Sequence, residues 1–251
     1  MVGSGSKGNC SLIRSAKTVI MVDCGFSLKE TELRLRKLGL TGHDVSALLV
    51  THEHSDHIGG VKRFSAKFNT PLYMTHGTKQ YFAKKEILLG GDVTEISLEQ
   101  AFTLEDIQVT PVPVPHDAKE PCQYVFEWQG RKLGLLSDIG HISQTVSKAY
   151  SDCDALFIEC NHDREMLADG SYPASLKARV RGDWGHLSNC QTVQFLATMQ
   201  QTELRHLLIG HISEKNNSEA CVNAALANLT FLNCEPILAP QHEVQQWVSL
   251  V

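Results

Sequence analysis

Short apolar runs bounded by glycine or polar residues recur along the whole chain, and most have the length of a β-strand. They predict strands at residues 11–14, 18–22, 47–50, 72–75, 107–114, 124–128, 133–136, 155–159 and 206–209. Apolar residues at helical spacing alternate with charged ones in other segments. These segments predict helices at residues 28–38, 60–68, 78–89, 143–150, 189–200 and 218–229.

The chain begins with strands and continues with helices and strands in alternation, and a similar order of elements then follows. This order favours an α+β fold, an αββα sandwich in which two packed mixed sheets carry helices on their outer faces. The chain of 251 residues shows no low-complexity segment or linker. We therefore expect one domain covering residues 1–251.

Composition narrows the function classes. The formal charge is −5, so a nucleic-acid surface would have to be a local patch. No apolar run reaches the roughly 18 residues that span a membrane, and MVGSGSKGN lacks the apolar segment of a secretory signal. The eight cysteines form no CxxC pair, which argues against a zinc finger or a disulfide framework. These features predict a cytoplasmic protein with no membrane partner and mostly buried thiols.

Several predicted strands end at a residue that can bind a metal. These strand ends carry Asp23, the segment HEHSDH at 52–57, His116, Asp138, Glu159 and His211. Strand ends along one edge of a sheet converge in space, so such side chains can meet around one point. The pattern predicts a metal site at that edge.

The segment THEHSDHIGG at 51–60 is the densest group of ligand types. His52 and His54 are two residues apart and point to the same side of an extended chain. Asp56 and His57 follow a turn and can face a second ion. Imidazole and carboxylate ligands suit zinc, manganese or iron, and the absence of cysteine argues against a structural zinc site. The alternative is a polar surface loop.

THEHSDHIGG resembles the second motif of the metallo-β-lactamase-fold hydrolases, and the other motifs follow in the expected order. The resemblance implies two divalent ions, Zn²⁺ or Mn²⁺ with iron as a further option. It assigns His52, His54 and His116 to one ion, and Asp56, His57 and His211 to the other. Asp138 matches the aspartate that bridges the ions, and Asp23 the aspartate that braces a ligand histidine. A hydroxide shared by the ions is the implied nucleophile, with Asp56 orienting it.

Other segments are similar to the YycJ/WalJ-like branch of that family. They are GSGSKGNCSL, PHDAKEP, ECNHDREML, YPASLKARVRGDWGHLSN and GHISEKNN. The resemblance implies a phosphodiesterase that acts as a 5′-to-3′ exonuclease on DNA, single-stranded DNA in particular. One departure is that only Met1 and Val2 precede the SGSKGN loop, where the branch has a short apolar strand. We expect the first strand to be short or cut off.

Two further histidines are candidate catalytic groups. His162 follows a strand end, and His186 precedes a predicted helix start at Ser188. A helix start can bind phosphate, and a histidine there can bind phosphate or protonate the leaving alcohol. The alternative is that both histidines cap or brace loops.

Candidate substrate contacts lie in three further places. They are Ser6, Lys7 and Asn9 in the glycine-rich loop, Lys177, Arg179 and Arg181 with Arg164 in the basic run, and Asn216 with Asn217 after His211. Arginine and lysine make most phosphate contacts, so the basic run could follow a nucleic-acid backbone. The alternatives are a flexible terminus, a solvated edge and an ordinary turn.

The leading hypothesis is a dinuclear phosphodiesterase with a DNA substrate. A hydrolase of small esters, lactones or β-lactams is the alternative, and a binding module that kept the fold is a third class. The interval between Asp138 and His211 is too short for the helical insertion of the larger nuclease branches. The substrate must therefore be held by this domain or by a second subunit, which leaves a dimer open.

Overall fold

The computed structural model describes residues 1–199, 204–227, 229 and 234–250. The chain divides into two compact units, which are described separately. The first unit comprises Met1–Pro113, Ala118–Trp128 and Pro240–Trp247. The second unit comprises Val114–Asp117, Gln129–Ala239 and Val248–Val251. The expectation of a single domain stays a prediction.

The first unit contains eight strands and four α-helices among its described residues. The strands are β1 (Ser11–Arg14), β2 (Val19–Val22), β3 (Ala47–Leu49), β4 (Leu72–Thr75), β5 (Val93–Ile96), β6 (Phe102–Leu104), β7 (Ile107–Pro113) and β8 (Cys122–Trp128). The helices are α1 (Leu28–Lys37), α2 (Ser55–Ile58), α3 (Val61–Phe68) and α4 (His76–Lys84), and a 3-10 turn covers Gly42–Asp44. β1 pairs antiparallel with β2, and β2 to β5 are parallel. β6, β7 and β8 form an antiparallel group.

The core of the first unit is built from the apolar residues of β2, β3 and β4 and of the helices α1 and α3. Leu48, Phe64 and Met74 are fully buried there. The hydroxyl of Tyr124 on β8 donates to the carbonyl of Val50 at 2.9 Å. This bond fixes the chain just beyond β3, where the histidine-rich segment begins.

The second unit contains four parallel strands and five helices among its described residues. The strands are β9 (Arg131–Leu136), β10 (Ala155–Glu159), β11 (His206–Gly210) and β12 (Ile237–Leu238). The helices are α5 (Gln144–Tyr150), α6 (Arg164–Asp169), α7 (Ala174–Arg181), α8 (Asn189–Thr198) and α9 (Glu219–Leu226). All five residues of β10 are buried, as expected for a central parallel strand. The carboxyl ends of β9, β10 and β11 lie at one edge, so the residues that follow them are brought together.

The predicted α+β class with two mixed sheets and helices is confirmed. Every predicted strand and helix is present, with ends shifted by a few residues, except that Gln200 and Asn228 lie outside the described residues. The sequence patterns missed β5, β6, β12, α2, α6 and α7. These elements are short or largely solvent-exposed, and α7 has no buried residue in the described structure. In the described chain, no helix combines the length and apolarity needed to cross a membrane.

Replacing Phe64 by alanine should lower the free energy of unfolding by about 3–5 kcal/mol, because a fully buried ring leaves a cavity behind. Leu88→Ala is the matched control, since Leu88 is 82% exposed. That control should change stability by less than about 0.5 kcal/mol. Urea unfolding followed by circular dichroism measures both values, and equal losses in the two variants would contradict this core assignment.

Candidate active site

The first unit places its histidine-rich segment directly after β3. His52 is buried, His54 is the residue that precedes α2, and Asp56 and His57 lie within α2. The ring nitrogens His52 Nε2 and His54 Nδ1 are 3.0 Å apart, and the His52 and His57 ring centroids are 4.1 Å apart. The three imidazoles therefore form one compact group, with the Asp56 carboxylate 3.6 Å from His57 Nε2.

Asp23 braces this group from the end of β2. One carboxylate oxygen accepts from the Thr51 backbone N–H at 2.9 Å, and the other lies 2.7 Å from His57 Nδ1. Burial raises the pKa of Asp23, while the contacts with His57 and Thr51 act in the opposite direction. By holding Nδ1, the carboxylate fixes the orientation of the His57 ring and leaves Nε2 directed away from it. This is the bracing contact that the family resemblance implies for Asp23.

The glycine-rich loop contacts the same group through Asn9. The Asn9 side-chain nitrogen lies 3.1 Å from an Asp56 carboxylate oxygen and 3.0 Å from His57 Nε2. Its side-chain oxygen accepts from the Gly5 backbone N–H at 2.8 Å. Asn9, predicted to touch substrate, is thus a buried residue that orients two candidate ligands. Ser6 and Lys7 are exposed.

The second unit gathers five ligand-type residues near the carboxyl edge of its parallel strands. Asp138 follows β9, and His211 follows β11, with His211 Nε2 3.4 Å from an Asp138 carboxylate oxygen. Ligand atoms of His116, Asp138 and His186 all lie within 4.8 Å of one another. The same is true of Glu159, His186 and His211. This spacing fits divalent cations held by imidazole and carboxylate.

The sequence places Glu159 among the strand-end residues that can bind a metal, but it gives this residue no specific role. Glu159 ends β10 and is fully buried. Its carboxylate accepts from the backbone N–H groups of Asp138 at 3.0 Å and Leu187 at 2.8 Å. It also lies 3.1 Å from His186 Nδ1. The sequence signal for it is a carboxylate at the last position of an otherwise apolar, buried strand, and its hydrogen-bond partners come from distant residues.

His186 lies between the other candidate ligands of the second unit. Its ring stacks on His211 with centroids 5.2 Å apart, and its side chain is 21% exposed. Burial acts to lower the pKa of His186, but the charge of Glu159 and the hydrogen bond to it outweigh burial and raise the pKa to about 9. In the ion-free protein the Glu159 carboxylate therefore favours the protonated form of His186.

Other predicted site residues of the second unit have structural contacts. Ser188 caps α8, and its hydroxyl donates to Gln191 at 2.6 Å. Asn216 is buried and contacts Ser213, and Asn217 donates to the Cys160 carbonyl at 2.8 Å. These contacts favour a structural role over a substrate contact: Ser188 caps a helix, and Asn216 and Asn217 stabilise a turn.

His162 and the basic run belong to a different part of the second unit. His162 is buried, and burial lowers its pKa to about 4. It is outside the grouped ligand atoms found among the described residues. Arg179 pairs with Asp117 at 2.5 Å, while Lys177 and Arg181, four residues apart on α7, share another helix face. The basic residues of α7 therefore lie on two different helix faces, Arg179 on one and Lys177 with Arg181 on the other.

The donor chemistry fits metal binding by histidine and carboxylate. Burial raises the pKa of the Cys24, Cys122 and Cys160 thiols to about 12, so these buried cysteines stay protonated. Neutral thiols are poor metal ligands. Imidazole with carboxylate suits zinc, manganese or iron.

Comparison with known proteins identifies the family. The beta-lactamase superfamily domain matches residues 18–212. The exodeoxyribonuclease YycJ of Bacillus anthracis is 34% identical over 91% of this chain and 87% of its own length. The exodeoxyribonuclease WalJ of Streptococcus pneumoniae is 32% identical over 93% of this chain and 86% of its own length.

A solved structure shares the fold. The metallo-β-lactamase fold protein YhfI from Bacillus subtilis superposes with a TM-score of 0.72 at 15% identity, covering 95% of this chain and 94% of that one. At that identity the likeness concerns the fold alone. Family membership rests on the domain match and on the two relatives above 30% identity. The chain belongs to the beta-lactamase superfamily and is a metal-dependent hydrolase.

Proposed function

We propose that this protein is a dinuclear metal-dependent exonuclease that degrades DNA, with single-stranded DNA as substrate and 5′-to-3′ polarity. The hydrolytic part rests on the group of His116, Asp138 and His211 in the second unit, where His211 Nε2 lies 3.4 Å and His116 Nε2 4.0 Å from an Asp138 carboxylate oxygen. The DNA part draws on the two relatives, both named exodeoxyribonucleases.

The proposed ligand sets follow the order of the family motifs. His52, His54 and His116 would hold one ion, Asp56, His57 and His211 the other, and Asp138 both. The close His52–His54 contact in the first unit and the Asp138–His211 contact in the second are compatible with these sets. When bound, two divalent ions supply an activated water and neutralise charge on the phosphoryl group.

The protein's own residues would position this chemistry and move its protons. Asp23 holds His57 at Nδ1, which leaves Nε2 for an ion, and Asn9 holds the Asp56 carboxylate. Glu159 holds the Asp138 backbone and the His186 ring. His186, which is partly exposed and held by Glu159, would give a proton to the oxygen of the leaving nucleoside as the P–O bond breaks.

Purified protein with Mn²⁺ or Zn²⁺ should shorten end-labelled single-stranded DNA stepwise and hydrolyse bis(p-nitrophenyl) phosphate. Strands labelled at the 5′ or the 3′ end reveal the polarity, because the label is released early from the end that is attacked. Nitrocefin and a lactone test the alternative of small-molecule hydrolysis. Turnover of either without cleavage of a phosphodiester would refute the nuclease proposal, and a chelator should abolish all activity.

Asp138→Ala should remove metal and activity together, since the proposed bridging carboxylate would be lost. We expect metal content to fall to about one ion per chain or less and kcat/KM to fall at least about 100-fold. Mass spectrometry of metals and a hydrolysis assay give the two values. Asp169→Ala, on the exposed end of α6, is the matched control and should leave both unchanged. Full activity in Asp138→Ala would exclude the bridging role.

Glu159→Gln should lower kcat about 10- to 100-fold with a smaller change in KM. The amide offers one acceptor oxygen where the carboxylate offers two, so either the Asp138 or the Leu187 N–H loses its partner. Glu165→Gln, an exposed change on α6, is the control. Unaltered kcat in a folded Glu159→Gln protein would rule out the positioning role.

A further inference from the structure

The second unit contains a cavity of about 520 Å³ that is separate from the grouped ligand atoms described above. Its polar lining is His162, Arg164, Lys177, Arg181 and Gln191, and its other lining residues are apolar. Ligand-binding cavities commonly span about 300–1,000 Å³. The cavity is therefore large enough for a small organic ligand or the end of a polymer.

The cavity lining is positively charged, whereas the chain as a whole is negatively charged. Three cations line it, and no carboxylate does among the described residues, although the whole chain carries a net charge of −5. Lys177 and Arg181 reach it from successive turns of α7. The Arg181 side chain makes no hydrogen bond or ion pair in the part of the chain that the structure describes. A concentration of unneutralised cations in a recess attracts anions.

Two of the lining cations are held in place by neutral groups. Arg164 Nε donates to the Ser188 hydroxyl at 3.3 Å, and Lys177 Nζ donates to the Ala168 carbonyl at 2.6 Å. Neither contact neutralises a charge. Each side chain is thereby restrained while other N–H groups remain for a ligand.

His162 gives a second, independent indication of a ligand. It is 1% exposed, and its Nδ1 has no hydrogen-bond partner among the residues that the structure describes. A buried polar atom left without a partner costs free energy, so such atoms are uncommon unless something else satisfies them. A ligand oxygen in this cavity would supply the missing partner.

The cavity wall is linked to the candidate active site within the second unit. Gln191 lines the cavity and donates through Nε2 to the Gly140 carbonyl at 3.4 Å, two residues from Asp138. Ser188, which contacts Arg164, is two residues from His186. A ligand in the cavity therefore lies next to the loops that carry Asp138 and His186.

We propose that this cavity binds a phosphomonoester dianion through Arg164, Lys177 and Arg181, with His162 as hydrogen-bond donor. A phosphomonoester carries about two charges and three acceptor oxygens, which match several cations and a neutral imidazole N–H. The source is the terminal phosphate of a DNA strand. That choice of source rests on the proposed exonuclease function, whereas the anion site itself does not.

The test uses the full-length, metal-loaded protein and short phosphorothioate-linked DNA strands that resist cleavage. Strands with a 5′-phosphate, a 3′-phosphate or only hydroxyl ends carry a fluorophore at the opposite end, and binding is followed by anisotropy. Strands with a phosphate at one of the two ends should bind roughly tenfold or more tightly than strands that have only hydroxyl ends. Arg181→Gln and His162→Asn should reduce that preference. Lys148→Gln, which removes an exposed cation on α5, should preserve it.

Calorimetry with inorganic phosphate distinguishes the two sources. Phosphate binding that Arg181→Gln weakens, without any preference for phosphorylated strands, would support the anion site and assign it to free phosphate. No preference among strand ends together with no phosphate binding would overturn the proposal. DNA hydrolysis by the unaltered protein is measured separately. Phosphate binding without hydrolysis would reject the nuclease function alone, and hydrolysis with neither binding signal would reject the cavity assignment alone.

Discussion

The second unit's site depends on the hydrogen bonds that the buried Glu159 carboxylate accepts. A charge at the end of an apolar strand is stable only if its oxygens are fully hydrogen-bonded. Here they are bonded by backbone N–H groups from the loops after β9 and before α8, and by His186. The cost of burying one charge is thus offset by contacts that fix two loops, and those loops carry the candidate ligands. The same hydrogen bonds therefore hold the buried end of β10 and the two loops of the candidate site.

Much of the fold was predictable because it depends on local patterns. Residues 11–14, 72–75 and 155–159 were predicted as strands with the observed bounds, since apolar runs between polar residues specify buried strands. The segment HEHSDH was recognisable because its ligand types are adjacent in sequence. The strand-end pattern marked Asp23 as a candidate, but its bracing role came from its position in a family motif, and no local pattern would have revealed its contact with His57.

The remaining features depend on contacts between distant residues. The role of Glu159 requires partners more than 20 residues away in sequence. Asn9 reaches Asp56 and His57 through a loop that reads as flexible. The basic run was predicted as one track, but α7 separates Arg179 from Lys177 and Arg181 because a helix turns about 100° per residue. Local sequence patterns do not reveal which distant residues meet in the folded chain.

Three candidate site residues have left-handed backbone conformations. The φ angles of Asp23, Asp138 and His211 are 59°, 53° and 51°. This region is unfavourable for residues with a Cβ, by roughly 1 kcal/mol or more each, although aspartate and histidine tolerate it better than most. Glycine would relieve this strain, but at Asp23 it would also leave the buried Thr51 and His57 without their hydrogen-bond partner. The chain therefore accepts unfavourable backbone conformations where its site side chains are needed.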